Sequence, residues 1–276
     1  MNLTNLAELK TYLKLAGLKP NKNLGQHFLI DDKVLNEIVE TADLNIIDNV
    51  LEIGPGLGVL TQELSKYAGN IVAVESDNNL AEILTHYCLK NLLVINDNFL
   101  DFDLAKMPKG YKVIANLPYN ITSAIFRKIL DNSNRPSQIV ALIQKEVAER
   151  IVAKPGKMSV LALSVQYFAK PRIISIVKPE SFWPRPKIDS AIIKIDVYNK
   201  PAFDTDTKKL FRLIKAGFGE KRKMLKNSLS GGLSKDTKFM VEILSKAKIS
   251  LSSRPQELSL EDWRRLYGIC ETKKII

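Results

Sequence analysis

Asn116-Leu117-Pro118-Tyr119 sets a side-chain amide, a backbone carbonyl and an aromatic ring in succession. Those are the parts needed to methylate an amine. The amine of an adenine or of a glutamine side chain is a poor nucleophile, because its lone pair is delocalised into the π system. Two acceptors, the Asn116 carbonyl and the Leu117 backbone carbonyl, would each take one amine hydrogen. That pyramidalises the nitrogen and aims its lone pair at an electrophile, while Tyr119 stacks on the base. The same tetrapeptide also fits an ordinary strand-to-turn junction with a packed tyrosine.

A second group of residues supplies a seat for the electrophile. The apolar run Val50-Leu51-Glu52-Ile53 leads into Gly54-Pro55-Gly56-Leu57-Gly58. Glycines at the start of a helix let a ligand approach the backbone closely. The dinucleotide fingerprint is Gly-x-Gly-x-x-Gly, and here the third glycine comes one residue early. This spacing disfavours a pyrophosphate and fits a nucleoside whose aminoacyl tail lies against the turn, as in S-adenosylmethionine. Gly54 and Gly56 are therefore expected to bind this cofactor. Glu75 ends the next apolar run, roughly twenty residues on, where an acidic side chain binds ribose hydroxyls. Asp97 follows a third run and would accept a hydrogen bond from the adenine amino group of the cofactor. Taken singly, each acid is far more commonly a solvated strand-end carboxylate. Four successive strand ends carrying the glycine turn, Glu75, Asp97 and Asn116 form a more specific pattern.

These residues require a particular scaffold. Strands are expected over 50–53, 71–74, 92–95 and 111–115, the last ended by Pro118. Helices are expected after the glycine turn through Tyr67, and from Thr122 or Ser123, either of which can cap, through Leu130. The alternation implies an α/β fold with βαβ units around a largely parallel sheet, whose ligands bind at strand carboxyl ends. A helix is expected from Ser159 through Phe168. Two β-rich runs, 172–177 and 190–197, would form a closing hairpin joined by a Pro-rich loop. Asn199-Lys200-Pro201 reads as a boundary, giving domains 1–199 and 200–276, the second helical throughout with Gly231-Gly232 as a turn and Pro255 as a breaker.

Separated motifs then become recognisable. They are Asn23-Leu24-Gly25-Gln26-His27-Phe28-Leu29, the glycine turn, Asn116-Leu117-Pro118-Tyr119-Asn120-Ile121, Gln144-Lys145-Glu146-Val147-Ala148 and Phe182-Trp183-Pro184-Arg185-Pro186-Lys187. In this order, and with the tail motifs 221–229 and 254–259, the chain from about Asn21 to Tyr267 resembles the ribosomal RNA adenine dimethyltransferases, most closely their bacterial small-subunit group. The resemblance implies a Rossmann-like class I S-adenosylmethionine-dependent methyltransferase domain with a small all-α C-terminal domain. It implies that residues 1–30 close over the cofactor, with His27 and Leu29 touching it and Asn116 bordering it. The family usually has asparagine where His27 stands, and histidine can make a similar hydrogen bond. Leu117 and Pro118 complete the catalytic motif, and Phe182 would face Tyr119 across the target adenine.

The implied reaction transfers four methyl groups from S-adenosylmethionine to the exocyclic amines of two adjacent adenosines, in a 3′-terminal hairpin of 16S rRNA within the small ribosomal subunit or its precursor. No metal is expected. Two alternatives use the same fold: enzymes that methylate a large-subunit (23S) adenine and confer antibiotic resistance, and non-catalytic assembly or transcription factors. Arg254-Pro255-Gln256-Glu257-Leu258-Ser259 followed by Asp262-Trp263-Arg264-Arg265-Leu266 resembles the small-subunit enzymes, and an intact tetrapeptide argues against a binding-only protein.

Composition agrees with a nucleic-acid partner. The 276 residues hold 41 lysines and arginines against 30 acids, a net charge of +11. That surplus favours phosphate backbones and makes affinity salt-dependent. Basic residues crowd Lys208, Lys209, Arg212, Lys215, Lys221, Arg222, Lys223 and Lys226. Lys221, Arg222, Lys223 and Lys226 are expected to contact RNA, displayed after a glycine-flanked turn at Gly217-Phe218-Gly219; a solvated helix start is the plainer reading. The 45% hydrophobic content suffices for a packed core. No apolar stretch reaches the roughly 18 residues of a membrane span, and the N-terminus lacks a secretory apolar core. A cytoplasmic monomer is expected. Cys88 and Cys270 are expected as free thiols, and His86-x-Cys88 lacks the second pair of a metal site.

Overall fold

A computed structural model describes residues 3–21, 25–220 and 222–276 of the chain. It divides into two compact units, Met1–Ala148 with Lys170–Asn199, and Glu149–Ala169 with Lys200–Ile276. The helical unit is thus discontinuous in sequence, drawing a segment from before the expected boundary at 200 as well as the tail.

In chain order the first part comprises α1 (Leu6–Leu15), β1 (Phe28–Leu29), α2 (Asp32–Ala42), β2 (Asn49–Ile53), α3 (Val59–Leu64), β3 (Asn70–Glu75), α4 (Asn78–Thr85) and β4 (Leu92–Asn96). There follow β5 (Lys112–Asn116), α5 (Thr122–Asp131), β6 (Gln138–Gln144), α6 (Lys145–Ile151), α7 (Val160–Phe168), β7 (Ala169–Val177), β8 (Phe182–Trp183) and β9 (Ser190–Val197). The tail holds α8 (Thr207–Phe218), α9 (Leu225–Leu233), α10 (Thr237–Lys246) and α11 (Leu260–Thr272).

Seven strands form one sheet in the order β4-β3-β2-β5-β6-β9-β7. The neighbours from β4 to β6 are parallel, and β9 runs antiparallel to β6. In β6, Ile139, Val140, Ala141, Leu142 and Ile143 are all buried, as a central strand covered on both faces requires. The chain leaves β2 outward through β3 to β4, then returns to add β5 on the other side. The carboxyl ends of β2 and β5 therefore flank the point where strand order reverses, the usual ligand crevice of such sheets.

Two departures from the sequence reading bear on the site. The Pro-rich connection between β7 and β9 is not a free loop, because its β8 pairs antiparallel with β1, Phe28 opposite Trp183 and Leu29 opposite Phe182. Asp31 fastens this pair from both sides: Oδ1 caps α2, accepting from Lys33 N at 3.0 Å, and Oδ2 accepts from Ser181 Oγ at 2.8 Å. Neither Thr122 nor Ser123 caps α5. The cap position is Ile121, and the Thr122 hydroxyl donates back to the Pro118 carbonyl at 2.9 Å, which ties the helix to the tetrapeptide.

The helical unit corrects both glycine turns. Gly217 and Phe218 lie inside α8, where a Cβ on Gly217 would sit 2.5 Å from Trp263 Cη2. Gly231 and Gly232 lie inside α9, and a Cβ on Gly232 would come within 2.8 Å of Ala216 Cβ. Close helix packing, not chain reversal, explains Gly217 and Gly232, whereas a Cβ on Gly231 would meet nothing within 4 Å. The helix ends instead at Ser234, in the left-handed region at φ 53°. Pro255 does start a new element, a single 3-10 turn before α11.

Candidate active site

One cavity lies over the carboxyl ends of β2, β3 and β5. It is lined by Gly54 to Leu57 of the glycine turn, Glu52, Glu75 and Ser76, the tetrapeptide, and Gly25 to Leu29. Backbone conformation explains the turn: Gly54, Gly56 and Gly58 all have positive φ, between 60° and 76°. At Gly56 a Cβ would also press on the Phe28 ring at 3.4 Å, narrowing the cavity from above.

Glu75 is 5% exposed. Its Oε2 accepts from Gly56 N at 3.0 Å and its Oε1 from Asp77 N at 2.9 Å, so the carboxylate fixes the loops of two strands. Each oxygen keeps a further lone pair for a ligand hydroxyl. Burial raises the Glu75 carboxyl above its usual range, and the backbone N–H groups of Asp77 and Gly56 offset part of that.

Glu52 was not singled out in the sequence. It is 1% exposed, its Oε2 has no hydrogen-bond partner, and it borders the cavity. Burial pushes it up to about 8, with the nearby Thr61 hydroxyl lowering it and the Glu75 charge raising it further. Thr61 Oγ1 itself makes no bond of good geometry, so Glu52 is poorly solvated by the protein. An acid inside the otherwise apolar run 50–53 was the available signal, since an unpaired buried carboxyl is rare.

Asn116 closes β5. Its Nδ2 donates to the His27 backbone carbonyl at 3.1 Å, which fixes the amide plane and leaves Oδ1 as a directed acceptor. Leu117 N donates to Leu142 O at 3.0 Å, anchoring the peptide whose carbonyl follows. The Tyr119 hydroxyl and Ser190 Oγ are 2.6 Å apart. Burial raises the Tyr119 phenol, and the Ser190 bond lowers it in part.

His27 and Leu29 line the cavity, and the His27 ring stacks on Tyr119, with centroids 5.4 Å apart and planes 26° apart. Its Nδ1–H donates to the Pro184 carbonyl at 2.6 Å. The ring seen against Tyr119 is therefore His27 and not Phe182. Phe182 is 2% exposed, does not line the cavity, and packs in the core with Leu29, Val34 and Val177. Its pairing with Leu29 through β1 and β8 draws it inward. Asp97 is exposed just beyond β4 and also lies outside the cavity lining, with Oδ1 accepting from Asn98 N at 2.7 Å.

Gln26 adds a link the sequence did not reveal: its Nε2 donates to Asp77 Oδ2 at 3.2 Å. With the Asn116 and His27 bonds, it holds segment 25–29 across the cavity mouth at three points. In the helical unit Lys208, Arg212 and Lys215 are exposed along one face of α8, while Leu210, Leu213 and Ile214 are buried. Arg222 and Lys223 are exposed, Lys226 is half-buried, and Lys223 Nζ pairs with Glu220 at 2.5 Å. Lys221 lies outside the described residues. Both cysteines are free thiols.

A largely parallel sheet of this strand order, closed by an antiparallel β9, with a glycine turn after β2 and an acid ending β3, defines a Rossmann-like class I methyltransferase unit, here joined to a small helical unit. The residues present suit the methyl donor of that class: the glycine cradle admits a close ligand, Glu75 has spare acceptors, and Glu52 offers an unpartnered Oε2. The chain belongs to the ribosomal RNA adenine dimethylase family, whose pattern matches residues 17–269. A ribosomal RNA small subunit methyltransferase A of Dehalococcoides mccartyi is 43% identical over 184 residues, 65% of this chain and 63% of that protein. One from Lactiplantibacillus plantarum is 38% identical over 195 residues, 67% of this chain and 66% of that protein. The chain thus spans less than two thirds of the length of either relative. Among solved structures, a dimethyladenosine transferase from Plasmodium falciparum has a TM-score of 0.78 at 25% identity, covering 90% of this chain and 98% of that one. The 23S rRNA methyltransferase ErmE has a TM-score of 0.72 at 26% identity, covering 88% and 99%.

Proposed function

We propose that this chain is an S-adenosylmethionine-dependent adenine dimethyltransferase acting on two adjacent adenosines in a 3′-terminal hairpin of 16S rRNA, within the small subunit or its precursor. The observation that carries this reading is the fixed Asn116 amide. Its Nδ2 is committed to the His27 carbonyl, so Oδ1 is left to accept one hydrogen of an incoming amine. The Leu117 carbonyl would take the other hydrogen, and Tyr119, anchored at Ser190, would hold the base by stacking. Two acceptors on one nitrogen localise its lone pair, so no strong base is required before the bond forms. When bound, the cofactor supplies an electron-poor methyl carbon on its sulfonium. Glu75 would bind the ribose, Gly54 and Gly56 would pass the aminoacyl tail, and segment 25–29 would shield the site from water. Phe182 and Asp97 lie outside the cavity lining, and their proposed places beside the target base and the cofactor adenine rest on the family resemblance alone.

Support for the small subunit comes from the names of the relatives at about 40% identity and from the tail motif 254–266. The basic face of α8, with Lys221, Arg222, Lys223 and Lys226, is proposed to contact RNA phosphates, and residues 200–276 to serve as the ribosome-binding part of a cytoplasmic monomer. A large-subunit specificity is the second reading, because ErmE shares the fold at similar identity to the dimethyladenosine transferase. Methylation assays on separated, unmodified small and large subunits distinguish them: methyl incorporation confined to 23S rRNA would replace the first reading by the second.

A further inference from the structure

Tyr119 is held from two sides, by Ser190 at its hydroxyl and by the His27 imidazole against its ring. The two halves of His27 are held differently. Its backbone carbonyl receives the Asn116 amide, whereas its half-exposed ring has one hydrogen bond, from Nδ1–H to the Pro184 carbonyl. Rotation about the side-chain torsions would move the ring and leave the peptide on Asn116. An imidazole is also the five-membered half of a purine, with a similar flat π face. An aromatic platform in a partly buried cleft is better covered by such a ring than left to water.

We propose that the His27 ring is a stand-in for the target base: it covers the stacking face of Tyr119 and swings aside when an adenine enters, while its carbonyl keeps Asn116 aimed. This rests on the reading of Tyr119 as the platform for the base. His27 then acts as a positioning residue with two separable effects. The backbone presets the acceptor, and the ring keeps Tyr119 preorganised at the cost of competing with substrate for one stack.

The test uses the full chain saturated with S-adenosylhomocysteine, so that a nucleoside probe reads only the target seat. Binding of 2-aminopurine riboside is followed by fluorescence quenching in wild type, His27→Ala, His27→Phe, Tyr119→Ala and the His27→Ala/Tyr119→Ala double variant. Removing the competing ring should tighten the probe about two- to tenfold, the range of one aromatic pair. His27→Phe restores a flat ring and should return affinity to the wild-type level. In the Tyr119→Ala background His27→Ala should change nothing. Because the chain has 2 histidines, the His27 ring resonance can be assigned by its loss in His27→Ala, and it should move toward the free-imidazole position as probe is added. If Tyr119→Ala weakens the probe but His27→Ala fails to tighten it, the stand-in is refuted and the base platform survives. If His27→Ala changes probe and S-adenosylhomocysteine affinity in parallel, His27 acts through the cofactor and the inference is again refuted. If Tyr119→Ala leaves probe affinity unchanged, the platform itself is wrong and the inference falls with it.

Discussion

At neutral pH Glu52 should carry a proton, and replacing it by glutamine should flatten the pH dependence of stability in the first unit. Its pKa rises from the usual 4.5 to about 8 in the fold, chiefly through burial. Between those values the native chain holds a proton that the unfolded chain has released. Native binding of the extra proton means that the stabilisation is complete below about 4.5 and is lost as pH climbs to about 8. At about 1.4 kcal/mol per unit the loss totals up to about 5 kcal/mol. Glutamine has similar shape and no titration, so Glu52→Gln should gain on wild type by up to about 5 kcal/mol from pH 4.5 to 8.5. The repulsion between Glu52 and Glu75 is already contained in that shift. Urea unfolding at several pH values measures this. Trp183 belongs to the first unit and Trp263 is buried in the second, so a Trp263→Phe background makes fluorescence report the first unit alone. A stability difference between Glu52→Gln and Glu52 that stays constant from pH 5 to 8.5 would refute the protonated acid.

Asn116→Ala should retain cofactor binding and lose single-turnover methylation by about 2.7–4 kcal/mol of activation free energy, by analogy with other directed hydrogen-bonding groups; a wild-type rate would remove Asn116 from the chemistry. Glu75→Ala should weaken S-adenosylmethionine binding by calorimetry. It should also lower thermal stability, because Gly56 N and Asp77 N lose their acceptor at a cost of about 1–3 kcal/mol; unchanged affinity would take Glu75 out of the site. Neutralising Lys221, Arg222, Lys223 and Lys226 together should weaken binding to small-subunit particles, each lost phosphate contact reducing the log–log salt slope by roughly 0.7–0.9. A wild-type slope would mark the cluster as solvated surface.

The sequence was most legible where one residue type alone solves a local problem. Positive-φ glycines after β2, an acid ending β3 and a proline ending β5 each leave a local mark, and all of them meet at one cavity. What was not legible depends on partners distant along the chain. The pairing of β1 with β8 joins residues about 150 apart, and no local pattern announces a two-residue strand. That pairing moves Phe182 into the core and leaves His27 as the ring on Tyr119. Gly217 of α8 and Gly232 of α9 read as turn residues for a related reason. A missing Cβ serves close helix packing as well as it serves a turn, and only the neighbours, Trp263 and Ala216, distinguish the two.

The central claim is that this chain converts adenosine amines of small-subunit RNA to dimethylamines. Purified protein and methyl-labelled S-adenosylmethionine should be incubated with small subunits from cells lacking the modification. The RNA is then digested to nucleosides and analysed by mass spectrometry, with Asn116→Ala as control. The account requires labelled N6,N6-dimethyladenosine from two adjacent positions near the 3′ end of 16S rRNA, absent with the variant. Label appearing only in 23S rRNA, on another base, or equally with Asn116→Ala would contradict it.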